Sequence, residues 1–115
     1  MIRKQSEQVT EVRQNMRGGE GEVKIRHYFK KDEFTARCRL CAHLTLPPGS
    51  GIGLHEHAGE DEVYIILQGK GLLRDSGCEV EVEAGDAIVT GNGASHSIRN
   101  IGKSDLLVHA IIMQY

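Results

Sequence analysis

The sequence predicts an all-β protein of a single domain, a sandwich or barrel of short strands. Three observations carry that expectation. The chain has 115 residues, the length of one typical domain and too few for two. Most of its 14 glycines fall between Gly49 and Gly102 at turn spacing, with only two prolines in the whole chain. Apolar and polar residues alternate in segment after segment, while no stretch shows the period of an amphipathic helix.

The segments follow in order. Residues 1–17 have Val9, Val12 and Met16 as apolar anchors and read as an extended arm or a short, poor helix. Gly18, Gly19 and Gly21 form a turn that closes an N-terminal arm over 1–21 and opens the folded domain at 22. Glu22 to Phe29 alternates, with Val23, Ile25, His27 and Phe29 on one face. Arg37 to Leu46 alternates again. Leu40, Ala42, Leu44 and Leu46 share the inner face; Arg37, Arg39, Cys41, His43 and Thr45 share the outer one. Pro47-Pro48-Gly49 ends that strand, because proline cannot donate to a ladder. Ile52 to His57 is short and extended. Glu62 to Gln68 is nearly all apolar and is expected to be buried on both sides. Further strands run Leu72–Asp75, Glu79–Glu83, Ala87–Thr90, His96–Asn100 and Leu106–Met113, separated by glycine-bearing turns.

Composition excludes several classes. No apolar run approaches the roughly 20 residues that span a bilayer. The N-terminus lacks the apolar core of a signal peptide, and three cysteines in a chain that needs no staples read as reduced thiols, so a cytoplasmic protein is expected. A net charge of −2 argues against nucleic-acid binding. The charge is uneven: residues 1–31 are basic and the remainder acidic, which fits an arm lying against the body or solvated. Cys38 and Cys41 form a C-x2-C string without the second pair a structural zinc needs. Gly18-Gly19-Glu20-Gly21 lacks the strand–loop–helix context of a phosphate loop.

The histidines are the chemical signal. Residues at i and i+2 of a strand point to one face, so His55 and His57 can reach one metal together. Glu62 opens the next strand and can bring a carboxylate to the same point, and His96 offers a third imidazole from another strand. Three neutral nitrogens and one carboxylate suit a divalent transition metal, with positions left for water or substrate.

The spacing of these residues is specific. The first segment reads G(X)5HXH(X)4E(X)6G from Gly49 to Gly69, and the second reads G(X)5GXG(X)2H(X)3N from Gly85 to Asn100. Both resemble the two motifs of the cupin superfamily, in particular its small bacterial single-domain members, with Gly91 standing where the family usually has proline. The resemblance implies a single-domain jelly-roll β-barrel over 22–115 and one divalent metal (Mn, Fe, Ni, Co or Zn). It implies His55, His57, Glu62 and His96 as the ligands, and a homodimer.

Alternation then shapes the pocket. Leu40, Ala42, Leu44, Ile66, Ile98, Val108 and Ala110 are expected as aliphatic walls, with Tyr64 as the polar handle and His27 as a second candidate acid or base. No arginine falls on an inward position, which counts against ligands held mainly through carboxylate or phosphate, such as oxalate or a sugar phosphate. The functional expectation is a small metalloenzyme acting on a compact molecule, of dioxygenase, decarboxylase, isomerase or lyase type. The alternative is a non-catalytic, metal-dependent ligand-binding or sensor protein.

Overall fold

The alternating segments become strands, each antiparallel to its neighbours. A computed structural model describes residues 1–115. The strands are β1 (Val9–Gln14), β2 (Glu22–His27), β3 (Cys38–Leu46), β4 (Gly51–Glu56), β5 (Glu60–Gln68), β6 (Lys70–Asp75), β7 (Cys78–Glu83), β8 (Ala87–Gly91), β9 (Ser95–Asn100) and β10 (Leu106–Gln114). They form a 6-stranded sheet in the order β1-β2-β3-β10-β5-β8 and a 4-stranded sheet in the order β4-β9-β6-β7. From β3 onward the chain changes sheet at every connection except the β6–β7 hairpin. That repeated crossing is the jelly-roll arrangement. No helix is long and apolar enough to cross a membrane.

Alternation decides what lies between the sheets. Leu106, Val108, Ala110 and Ile112 of β10 are buried, and their neighbours across β3 are the equally buried Leu46, Leu44 and Ala42, with half-buried Leu40 opposite Ile112. Ile98 and Leu73 close the core from the smaller sheet. The β6–β7 hairpin turns on Ser76 and Gly77, whose φ values of 51° and 83° are the left-handed pair that a two-residue turn needs to follow the strand twist.

Two expectations need correction. Part of the expected arm is strand: Val9–Gln14 pairs residue by residue with β2, from Val9 opposite His27 to Gln14 opposite Glu22. Its apolar content is too low to read as a strand, because only one face meets the core. The β5 run is not buried on both sides. Glu60, Glu62, Tyr64 and Ile66 point inward, whereas Val63 and Ile65 are half-buried on the outer face and Leu67 is exposed.

Asn100 ends the second motif and ties loops together. It is 2% exposed. Its Nδ2 donates to the carbonyls of Leu46 and Ser104, both at 2.8 Å, and its Oδ1 accepts from the Gly102 amide at 2.8 Å. An alanine there orphans three backbone groups away from water. Asn100→Ala is expected to cost about 2–4 kcal/mol of folding stability, measured as a lowered denaturant midpoint, with metal stoichiometry unchanged.

Candidate metal centre

Three elements deliver four donors to one point between the sheets. His55 lies on β4 and His96 opposite it on β9; His57 follows β4, and Glu62 comes from β5 in the larger sheet. One donor atom from each lies within 4.8 Å of the others. The Nε2 atoms of His57 and His96 are 3.0 Å apart, and those of His96 and His55 are 3.2 Å apart. Glu62 Oε1 sits 3.0 Å from both His57 Nε2 and His96 Nε2, and 3.9 Å from His55 Nε2.

Hydrogen bonds on the far side of the rings decide what these atoms are. His55 Nδ1 meets the Gly53 carbonyl at 2.7 Å, an oxygen that can only accept. His57 Nδ1 meets Glu60 Oε1 at 2.8 Å. Arg39 grips the same carboxylate with two bonds of 2.9 and 2.8 Å and holds its pKa down to about 2, so it too only accepts. Both rings therefore donate from Nδ1, and in the neutral imidazole that tautomer turns the Nε2 lone pair inward. Burial pushes the Glu62 carboxyl up, but the imidazoles around it outweigh burial and bring it down to about 2. The buried Glu62 Oε1 has no hydrogen-bond partner. Two lone pairs and an anion within about 3–4 Å of one another fit a cation at their centre, and metal–ligand bonds of about 2.1 Å put adjacent corners of an octahedron about 3 Å apart.

The pocket over this group differs from the expected one. Its cavity is about 60 Å³. Leu40 and Leu44 line it as expected, and so does Tyr64, whose ring stacks on His96 with centroids 5.0 Å apart. Ala42, Ile66, Ile98, Val108 and Ala110 are buried in the core and do not line it. His27 is elsewhere: its Nε2 meets Glu11 Oε1 of β1 at 2.9 Å and it lines a surface groove. Burial pushes the Tyr64 hydroxyl well above its ordinary pKa, so it is a donor and not a base.

Three arginines line the cavity: Arg13, Arg17 and Arg39. This overturns the expectation of an arginine-free pocket, and each reversal has a cause. The β3–β10 register slips beside Ile112, so that Ile112 faces Leu40 and Met113 faces Cys38, leaving Arg39 unpaired in a bulge. A bulge re-aims the side chain that strict alternation would send outward. Arg13 is opposite buried Val23 on β2, so strand pairing alone turns it to the inner face. Arg17 sits in the glycine-rich turn, which carried no readable direction. Glu60 is 8% exposed and bridges Arg39 to His57. Gly91, the departure from the usual motif, lies against Asp61 and 2.9 Å, measured from an added Cβ, from the Glu60 carbonyl, which leaves no room for a ring.

Comparison with known proteins agrees with this picture. The family model for the cupin domain matches residues 42–112. An oxalate-binding protein of Thermotoga maritima is 46% identical over 113 residues, covering 98% of this chain and 93% of its own. A crystal structure of a predicted oxalate decarboxylase from Thermotoga maritima superposes with a TM-score of 0.95 at 45% identity over the full length of both chains. The cupin domain of Schizosaccharomyces pombe Cnp3 shares the fold at a TM-score of 0.74 and 17% identity, covering 91% of this chain and 69% of that one.

Removing Glu60 frees the His57 ring to turn. Glu60→Ala is expected to weaken metal binding about 10–100-fold, measured by competition with a coloured chelator, while Asp61→Ala leaves it unchanged. Equal effects from the two would show that Glu60 does not orient His57.

Proposed function

The chain belongs to the cupin family, and we propose that it binds a compact carboxylate dianion of the oxalate class at a divalent metal held by His55, His57, Glu62 and His96. The observation that carries this reading is the set of three arginines around a small cavity that is also lined by three of those four donors, His55, His57 and Glu62. The metal, when bound, supplies Lewis acidity toward a carboxylate oxygen. Arg13 and Arg17 offer forked donors to the carboxylate that faces the mouth. Leu40, Leu44, Ile52 and Met16 give the remaining walls an apolar lining that excludes water and strengthens those charge contacts. A cavity of about 60 Å³ is several times the roughly 10–15 Å³ that one water needs, room for a handful of heavy atoms and too little for a sugar phosphate. The name of the Thermotoga relative, an oxalate-binding protein, supports the same class.

Binding is placed ahead of catalysis for a chemical reason. Proton transfer needs a group that titrates near neutrality. Besides the four donors, the cavity wall offers only arginines, which stay charged, and Tyr64, which stays protonated. The site thus grips a small anion without an evident acid or base to act on it.

A second copy of this chain is assigned to the outer face of the larger sheet. Val63 of β5 pairs with Ile111 of β10 and Ile65 with His109, and with Leu67 and Leu107 further along the two strands they make a largely apolar outer strip that the core does not use. Ile65→Glu is expected to convert a dimer to a monomer in sedimentation; a wild-type monomer at micromolar concentration contradicts the assignment.

Calorimetry tests the ligand. Metal-loaded protein is expected to bind oxalate and the metal-free protein not to, while His96→Ala loses the metal with its fold intact. Arg13→Gln is expected to weaken oxalate about tenfold, in line with a charged hydrogen bond of about 1.5 kcal/mol. Equal oxalate binding with and without metal, or none in either form, would overturn the reading. Stoichiometric release of carbon dioxide would shift it to catalysis.

A further inference from the structure

The glycine turn between β1 and β2 is built to touch the smaller sheet, backbone against backbone. Gly19 has φ −72° and ψ 171°, a conformation any residue adopts, so its own dihedrals do not require glycine. Space does: a Cβ there would collide with the Gly51 carbonyl oxygen, lying 2.7 Å from its carbon and 2.9 Å from the Gly53 amide nitrogen. The contact is reciprocal, since a Cβ on Gly53 would collide with the Arg17 carbonyl and come within 2.9 Å of the Gly19 nitrogen. The Gly51 amide donates to the Glu20 carbonyl at 2.9 Å, fastening the turn to β4.

The turn is also strained in a directed way. Asn15 and Arg17 have φ values of 52° and 54°, left-handed positions that non-glycine residues rarely adopt. They are held there by the Asn15 side chain, which donates to the Gly19 carbonyl at 3.1 Å, and by the Asn15 amide, which donates to Gly21 at 2.9 Å. What this strained strap presents to the cavity is Met16 and Arg17, with Arg13 just before it.

We propose that Gly19 is a positioning residue and Arg17 a specificity-determining one: the clasp of Gly19 on Gly51 and Gly53 fixes the strap at the cavity mouth, where it sets the length of anion that fits between arginine and metal. The ligand class rests on the reading above; the clasp does not. A strap seated this low admits a two-carbon dianion and excludes a four-carbon one. Lifting it moves Arg17 away from the first and makes room for the second.

The test compares wild type, Gly19→Ala and Arg17→Gly in metal-loaded protein, with oxalate and succinate as calorimetric probes and the rate of metal loss to excess EDTA as a readout that needs no organic ligand. Arg17→Gly keeps the left-handed backbone and removes the guanidinium. Gly19→Ala is expected to retain one metal per chain, to lose it to EDTA severalfold faster, and to cut the oxalate-over-succinate preference at least tenfold. Arg17→Gly is expected to cut oxalate affinity about tenfold at an unchanged EDTA rate. If Gly19→Ala does not fold, a wild-type oxalate affinity in Arg17→Gly overturns the proposal by itself. An unchanged EDTA rate and an unchanged preference in a folded Gly19→Ala overturn it as well. Failure of wild type to bind oxalate removes the ligand reading alone, and the EDTA rates still decide the clasp.

Discussion

Lone pairs and a carboxylate cannot face one another inside an apolar barrel without a positive charge among them. Gly53 and Glu60 accept from Nδ1 of His55 and His57, the tautomer that in the neutral ring leaves the inward nitrogen as a lone pair. Glu62 adds a full negative charge, with an oxygen that nothing in the chain hydrogen-bonds. Burying such a set unpaired is expensive. That cost explains why the surrounding residues serve one point: Tyr64 stacks on the His96 ring, and Arg39 anchors the carboxylate that anchors His57.

The jelly roll makes the convergence possible. Its repeated crossing brings β4 and β9 of one sheet opposite β5 of the other, so donors distant in sequence meet across the core. Two irregularities complete the site. The register of β4 slips between Ile52 and His55, where the Gly53 carbonyl orients His55. The bulge at Arg39 turns a cation inward from a strand whose alternation would send it out. Regular pairing builds the wall, and the breaks in pairing aim the functional groups.

Much of this was legible in the sequence. Alternation gave β2 to β10 within a few residues, and the spacing of His55, His57, Glu62 and His96 gave the four donors that the fold brings together. The arginines were not legible. Arg39 follows parity except at one bulge, and the bulge depends on its pairing with β10, a contact between distant parts of the chain. Arg13 sits on a strand too polar to be seen as one until β2 lies beside it. Glu60 reads as one of three adjacent acids, and only its place beside His57 and Arg39 separates it from Asp61. Gly19 looks like any flexible turn residue until Gly51 and Gly53 are set against it. In each case the missing information was a contact outside the residue's own strand or turn, which composition and period do not encode.

The central claim is that these four residues hold one metal and that the metal holds the ligand carboxylate. Electron paramagnetic resonance of the manganese-loaded protein, with oxalate in natural and 17O-enriched form, tests both parts in one sample. Nitrogen couplings from imidazole, together with broadening of the manganese lines by the enriched ligand, are the result expected from His55, His57 and His96 with a directly bound carboxylate. A spectrum of free aqueous manganese, or one with nitrogen couplings that enriched oxalate leaves unchanged, would contradict it.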